Sequence, residues 1–208
     1  IFGIPAFGIN PIYNEVDLFA RMYDFNNVIT GLLFYALLTF ITDIINLPFG
    51  LYSTFVIEEK YGFNKASFGV YLLDKIKSYF ILLLFGCPIM YFILFFFETY
   101  QTLAWFYASI CLGFFILLIQ PIFTLFIAPF FNKFSELKDD SLQNQIHLLA
   151  NKINFPISKI HIMDGSRRSS KANAYFSGLG KNKRISLFDT LIEQHTNEEI
   201  VSIVAHEI

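Results

Sequence analysis

Apolar residues run almost unbroken through the first two-thirds of the chain and become short and periodic afterwards. A bilayer core about 30 Å thick is crossed by a helix of roughly 20 apolar residues. Three stretches meet that requirement: about 28–52, with Asp43 as its only charge, then 78–97 and 102–131, with none. At about 1.5 Å per residue, the third is longer than a straight crossing needs. It predicts tilt, extension past the bilayer, or a kink near Pro121 and Pro129. Residues 1–11 are compatible with the tail of an earlier span.

The pattern changes at Asn132. Leu142, Ile146, Leu149 and Ile153 recur at spacings of three and four, which predicts an amphipathic helix over 137–154, stopped by Pro156. Strands are predicted over 159–163, 172–176 and 184–188, with Asp164-Gly165, Gly178 and Gly180 as breaks. Thr196-Asn197-Glu198-Glu199 has the form of a capping box. It opens a helix whose apolar residues are Ile200, Val201, Ile203, Val204 and Ile208. The chain therefore reads as a mainly α integral membrane protein. A transmembrane region over 1–131 holds at least three helices, and a small α/β unit follows over 132–208.

Composition agrees. Of 208 residues, 55% are hydrophobic and 15% charged, against about 25% charged in soluble domains. A net charge of -2 gives no reason to expect nucleic acid as a partner. Cys87 and Cys111 lie inside apolar runs, where a cysteine packs as a small hydrophobe. No disulfide framework or cysteine-based zinc site is legible. Lys60, Lys65, Lys75 and Lys77 fall between the first two spans, and Lys133 and Lys138 follow the third. Two spans separate these basic regions, so they share a side, and the positive-inside rule makes it cytoplasmic. Asp43 at bilayer depth costs at least ~2.5 kcal/mol. It either faces a water-filled cavity or sits near an interface, and Gln120 poses the same alternative. The chain begins at Ile1 and ends at Ala205-His206-Glu207-Ile208 without a helix stop signal, so it reads as a fragment at both ends.

The last helix carries His206-Glu207. In His-Glu-x-x-His, two histidines one helical turn apart bind zinc, and the glutamate acts as general base on zinc-bound water. Zinc brings the pKa of that water to near 7. The second histidine of such a motif would be residue 210. A lone His-Glu pair has almost no specificity and is equally an ordinary polar pair at a helix end.

Four ordered blocks carry more weight. They are 47–65 (LPFGLYSTFVIEEKYGFNK), 164–178 (DGSRRSSKANAYFSG), 181–191 (KNKRISLFDTL) and 198–207 (EEIVSIVAHE). In order and spacing they resemble the integral-membrane CAAX prenyl endopeptidases, zinc enzymes of the gluzincin type. The resemblance extends from about Asp43 to the last residue. It implies that His206 is the first zinc ligand and Glu207 the catalytic base. It also implies that Asn173, Ala174, Tyr175 and Phe176 form an edge strand that pairs with substrate backbone. Arg167, Arg168 and Lys171 either meet an acidic or carboxylate-bearing substrate or belong to a solvated loop. Many relatives have His where Lys171 stands. Glu58 and Glu59 either brace the catalytic unit or only join two spans.

The implied activity is zinc-dependent hydrolysis of peptide bonds near the C-terminus of CAAX-type or other membrane-associated peptides. The partners are then a peptide or lipidated protein and membrane lipids. The alternatives are a quality-control membrane metalloprotease without prenylated substrates, and a non-enzymatic scaffold or transporter fragment. One protein ligand does not hold zinc usefully, because such sites use three plus water. The second histidine, a glutamate ligand and further spans are expected beyond Ile208.

Overall fold

The computed structural model describes residues 10–178 and 183–208. Residues 1–9 and 179–182 lie outside that description. Most of the stretch read as the tail of an earlier span, and the break at Gly180, therefore go with them. The chain divides into two compact units, Ile1–Ser53 with Tyr79–Phe115 and Thr54–Ser78 with Ile116–Ile208.

In the first unit, α1 (Asn10–Arg21) is amphipathic and seats Val16 and Ala20 against α2 (Asn27–Tyr52). Asn10 and Pro11 thus begin a helix of their own. The side chain of Asn26 caps α2, accepting from the amide of Ile29 at 2.9 Å. The helical rod continues to Glu58, 32 residues in all. It runs beside α4 (Cys87–Tyr100). Asn27 Nδ2 donates to Glu98 Oε1 at 2.6 Å, so the start of α2 lies next to the end of α4. The two helices are antiparallel. They approach closely at Gly31, where an added Cβ would stand 3.1 Å from Leu94 Cδ1. Asp43 is half-buried and accepts a hydrogen bond from the Tyr79 hydroxyl. With Thr39, Thr42 and Asn46 it borders an open groove.

The middle rod starts at Phe68 with α3 (Phe68–Ile81), well before the apolar run at Ser78. The reason is that Asp74, Lys75 and Lys77 lie on its first turns, where charge masks the periodicity. Lys77 bends back to donate to the carbonyl of Phe130 at 2.6 Å and covers the rings of Phe130 and Phe131, the behaviour of a lysine at a membrane boundary. Gln101, with φ 40°, breaks the rod, and α5 (Ala104–Ile122) begins after a short 3-10 turn. Two stretches of this rod widen to π geometry, Leu82–Gly86 and Phe123–Ile127. Each lies just ahead of a proline, Pro88 or Pro129. Proline has no N–H and crowds the carbonyl four residues back, so the helix widens there rather than breaking. The distortion expected near Pro121 and Pro129 takes this form. α6 (Ala128–Phe131) then ends the apolar region. Trp105, Phe114, Ile116, Leu117 and Phe126 are more than three-fifths exposed, as suits helices whose solvent is lipid.

The second unit contains a four-stranded sheet in the order β1-β2-β4-β3. β1 (Phe134–Glu136) and β2 (Ile157–Met163) are antiparallel, β2 and β4 (Lys183–Phe188) parallel, and β3 (Ala174–Ser177) is antiparallel to β4. β1 is too short to show alternation, which is why the sequence does not announce it. One face of the sheet is apolar. Ile160, Ala174, Ile185 and Leu187 pack there with Leu142 and Ile146 of α7 (Asp140–Lys152), Leu191 of α8 (Asp189–Gln194), and Ile200 and Val204 of α9 (Asn197–Glu207). The other face is polar. Glu136, His161, Ser186 and Tyr175 stand in one row across all four strands.

Candidate active site

α9 is fixed at its start. The Thr196 hydroxyl accepts from the amide of Glu199, and the Glu199 carboxylate accepts from the amide of Thr196 at 2.9 Å. The bond from the Thr196 amide, foremost, and one from its hydroxyl hold the Glu199 carboxyl below its usual range. Ile200 and Val204, one turn apart, are buried and lock the helix rotation. His206 and Glu207 follow in its last turn, the imidazole exposed and the carboxylate half-buried. α9 lies against β3, α7 and α8.

β3 occupies the outer position of the sheet, beside β4 on one side only. The carbonyl of Asn173 accepts from the amide of Phe188 at 3.0 Å, which sets the register of the antiparallel ladder. Backbone groups alternate along it. Asn173, Tyr175 and Ser177 therefore turn theirs towards β4, while Ala174 and Phe176 turn theirs to the open edge. The Asn173 side chain accepts from the Ala174 amide at 2.9 Å. Ala174 is buried and Phe176 is 40% exposed. Tyr175 points to the polar face, where burial pushes its phenol up, tempered by a hydrogen bond with Ser186. A groove of about 370 Å³ runs along Tyr175–Ser177, and Gln120 and Thr124 form its other wall. Gln120 stands there beside the apolar side chains of Ile119 and Phe123.

The segment between β2 and β3 is a brace. The guanidinium of Arg168 donates to both carboxylate oxygens of Asp74 at 2.6 and 2.9 Å, to Asn132 Oδ1 at 2.8 Å and to the carbonyl of Phe131 at 2.7 Å. The Asp74 hydrogen bond, chief among the causes, raises its already high pKa further. Lys171 Nζ pairs with Glu58 at 2.7 Å, and Ser170 bonds Gly62 and Phe63. Asn64 and Ser169 form an isolated antiparallel bridge. On the far side, Ser166 donates to Asp189, and Thr190 and Gln194 bind the carbonyls of Lys171 and Ser170. Arg168 and Lys171 thus pair with carboxylates of this chain, while Arg167 is exposed. Glu58 belongs to the bracing reading, and the Glu59 carboxylate accepts from Asn64 at 3.0 Å. Asp74 and Asn132 have no local signal in the sequence, since Arg168 lies 94 and 36 residues from them.

As a metal site, the described residues provide one exposed imidazole, His206, beside one carboxylate. Among them no group of three or more His, Cys, Asp or Glu side chains converges. An imidazole suits a borderline ion such as zinc in kind.

Residues 6–133 match the family described as CAAX prenyl protease N-terminal, five membrane helices, and residues 136–208 match peptidase family M48. CAAX prenyl protease 1 of Saccharomyces cerevisiae is 41% identical over 189 residues, which is 90% of this chain and 42% of that protein. The human CAAX prenyl protease 1 homolog is 38% identical over 166 residues, 80% of this chain and 35% of that protein. The crystal structure of S. mikatae Ste24p superposes with a TM-score of 0.88 at 38% identity, covering 95% of this chain and 48% of that one. The chain spans less than half the length of these relatives.

Proposed function

We propose, for a chain that belongs to the CAAX prenyl protease family within the M48 metallopeptidases, that the full-length protein is a membrane zinc endopeptidase cleaving near the C-terminus of prenylated CAAX-type peptides. It is an integral membrane protein, and the family is metal-dependent. The division at 131/132 separates membrane anchor from catalytic unit. The catalytic unit lies on the cytoplasmic side, in line with the lysines that flank the long helices.

The observation that carries this reading is the packing of the His206-Glu207 helix against an edge strand whose Ala174 and Phe176 backbone groups are turned outward. Substrate backbone adds to that edge as a further strand, which sets a scissile bond parallel to β3. The groove walled by Gln120 and Thr124 takes the side chains. His206 would hold zinc as one of its ligands. Zinc, when bound, makes water reactive at neutral pH and polarises the scissile carbonyl. Glu207 takes the proton of the attacking water on its carboxylate and returns it to the leaving amine. The exposed edge of β3 orients the chain, and Asn173 bonds the amide groups that approach it. The relatives named as CAAX prenyl proteases favour prenylated substrates over the quality-control alternative.

Glu207→Gln in the full-length protein tests this. Metal content should stay stoichiometric by mass spectrometry, while cleavage of a prenylated CAAX peptide falls by about 10²–10⁴-fold. Normal turnover by that variant would remove Glu207 as the base. Equal cleavage of the prenylated peptide and its unprenylated counterpart would remove the substrate assignment.

A further inference from the structure

We propose that the polar face of the sheet and the end of the third long helix form a binding site for the phosphate of an anionic phospholipid headgroup. Between them lies a cavity of about 520 Å³, within the range of small-molecule sites. Its helix wall is Thr124, Ala128 and Pro129, at the end of the apolar run that closes at Phe131. The opposite wall carries Lys133, Arg184 and the buried serines Ser177 and Ser186. The cavity meets the groove along β3 at Thr124, Tyr175 and Ser177, whereas the His206-Glu207 helix packs on the apolar side of the same sheet.

Charge decides what fits. Two cations of this unit are paired with carboxylates, Arg168 with Asp74 and Lys171 with Glu58. Lys133 and Arg184 have no ion-pair partner among the described residues. His161 lines the same cavity, and its pKa is lowered, first by burial and then by Arg184 and Lys159, with Glu136 opposing. A guanidinium fork meets phosphate oxygens in pairs, a lysine adds a point charge, and hydroxyls add further donors. The apolar helix wall suits the glycerol and first acyl carbons of a lipid, and a free phosphate has no use for it. The depth also fits, because Lys133 follows directly on the last apolar turn, where headgroups lie.

The full-length protein in phosphatidylcholine nanodiscs, without and with phosphatidylserine, provides the test. Native mass spectrometry should show one phosphatidylserine retained after the bulk lipid is removed. Lys133→Gln should raise the half-saturating phosphatidylserine about fivefold, and adding Arg184→Gln should bring the shift to about thirtyfold. Lys159→Gln, on the same face but outside the cavity, should leave it unchanged. A photoreactive phosphatidylserine should label wild-type protein within 124–134 or 184–186, a readout that does not depend on variants folding. Labelling elsewhere only, or wild-type retention by a folded double variant, would overturn the proposal. So would saturable binding of inorganic phosphate, lost in the double variant, without retention of phosphatidylserine.

Discussion

At the scale of single residues, Arg168 best illustrates what the sequence hides. Next to Arg167 it reads as half of a basic pair in a loop. In the structure one guanidinium satisfies Asp74, Asn132 and the last carbonyl of the apolar helix. A planar fork with fixed donors can do this where lysine cannot. The pair with Asp74 is about a quarter exposed on each side, so it is worth more than a surface pair and less than a buried one. Arg168→Ala should lower the stability of the second unit by about 2 kcal/mol, and Asp74→Ala by a similar amount. Combined, they should cost less than the sum, with a coupling of roughly 1–2 kcal/mol in a double-mutant cycle followed by thermal unfolding. Strict additivity would mean the two groups do not interact in solution. Peptidase activity should fall along with stability, because the braced segment leads straight into β3.

At the scale of elements, legibility follows length and periodicity. α7 and α9 announce themselves through apolar spacing and the capping box, and the three strands of the sheet with alternating or continuous apolar residues are found within a few positions. β1 and α8 are not, being three and six residues long, too short for either period to repeat. α3 is missed at its start because Lys75 and Lys77 look like loop residues when they are the wet end of a long helix. The candidate site divides in the same way. His206, Glu207 and the edge strand 173–176 enter through the resemblance of ordered local blocks, whereas the brace joins residues 94 and 113 positions apart. The capping box is the most local of these devices and the easiest to test. Thr196→Ala removes the hydroxyl that accepts from the Glu199 amide, and it should cost about 1 kcal/mol. It should also raise amide exchange in the first turn of α9 while the turn carrying His206 stays protected by Ile200 and Val204. Uniform loss of protection along the helix would show that packing, not the cap, depends on Thr196.

At the scale of the whole molecule, the number of crossings fixes which segments share a side. Asn27 and Glu98 are hydrogen-bonded, so the start of the first long helix and the end of the second lie at the same membrane face. The reading of three spans takes the break at Gln101 as the turn between two crossings, and it predicts that residues 132–208 follow on the side opposite that turn. The proposed orientation puts the lysines between the first two long helices on the same side as residues 132–208, and the positive-inside rule predicts that side to be cytoplasmic. With Cys87 and Cys111 replaced by serine, single cysteines at Lys138 and Thr102 separate the two orientations. Both positions are exposed. In sealed vesicles with the cytoplasmic face outward, a membrane-impermeant maleimide should label Lys138→Cys at once. Thr102→Cys should react only after the vesicles are permeabilised. The reverse pattern would place the catalytic unit on the other side of the membrane and leave the helix threading unchanged. Equal labelling of both before permeabilisation would contradict the threading itself, because it would put both ends of the third long helix on one side.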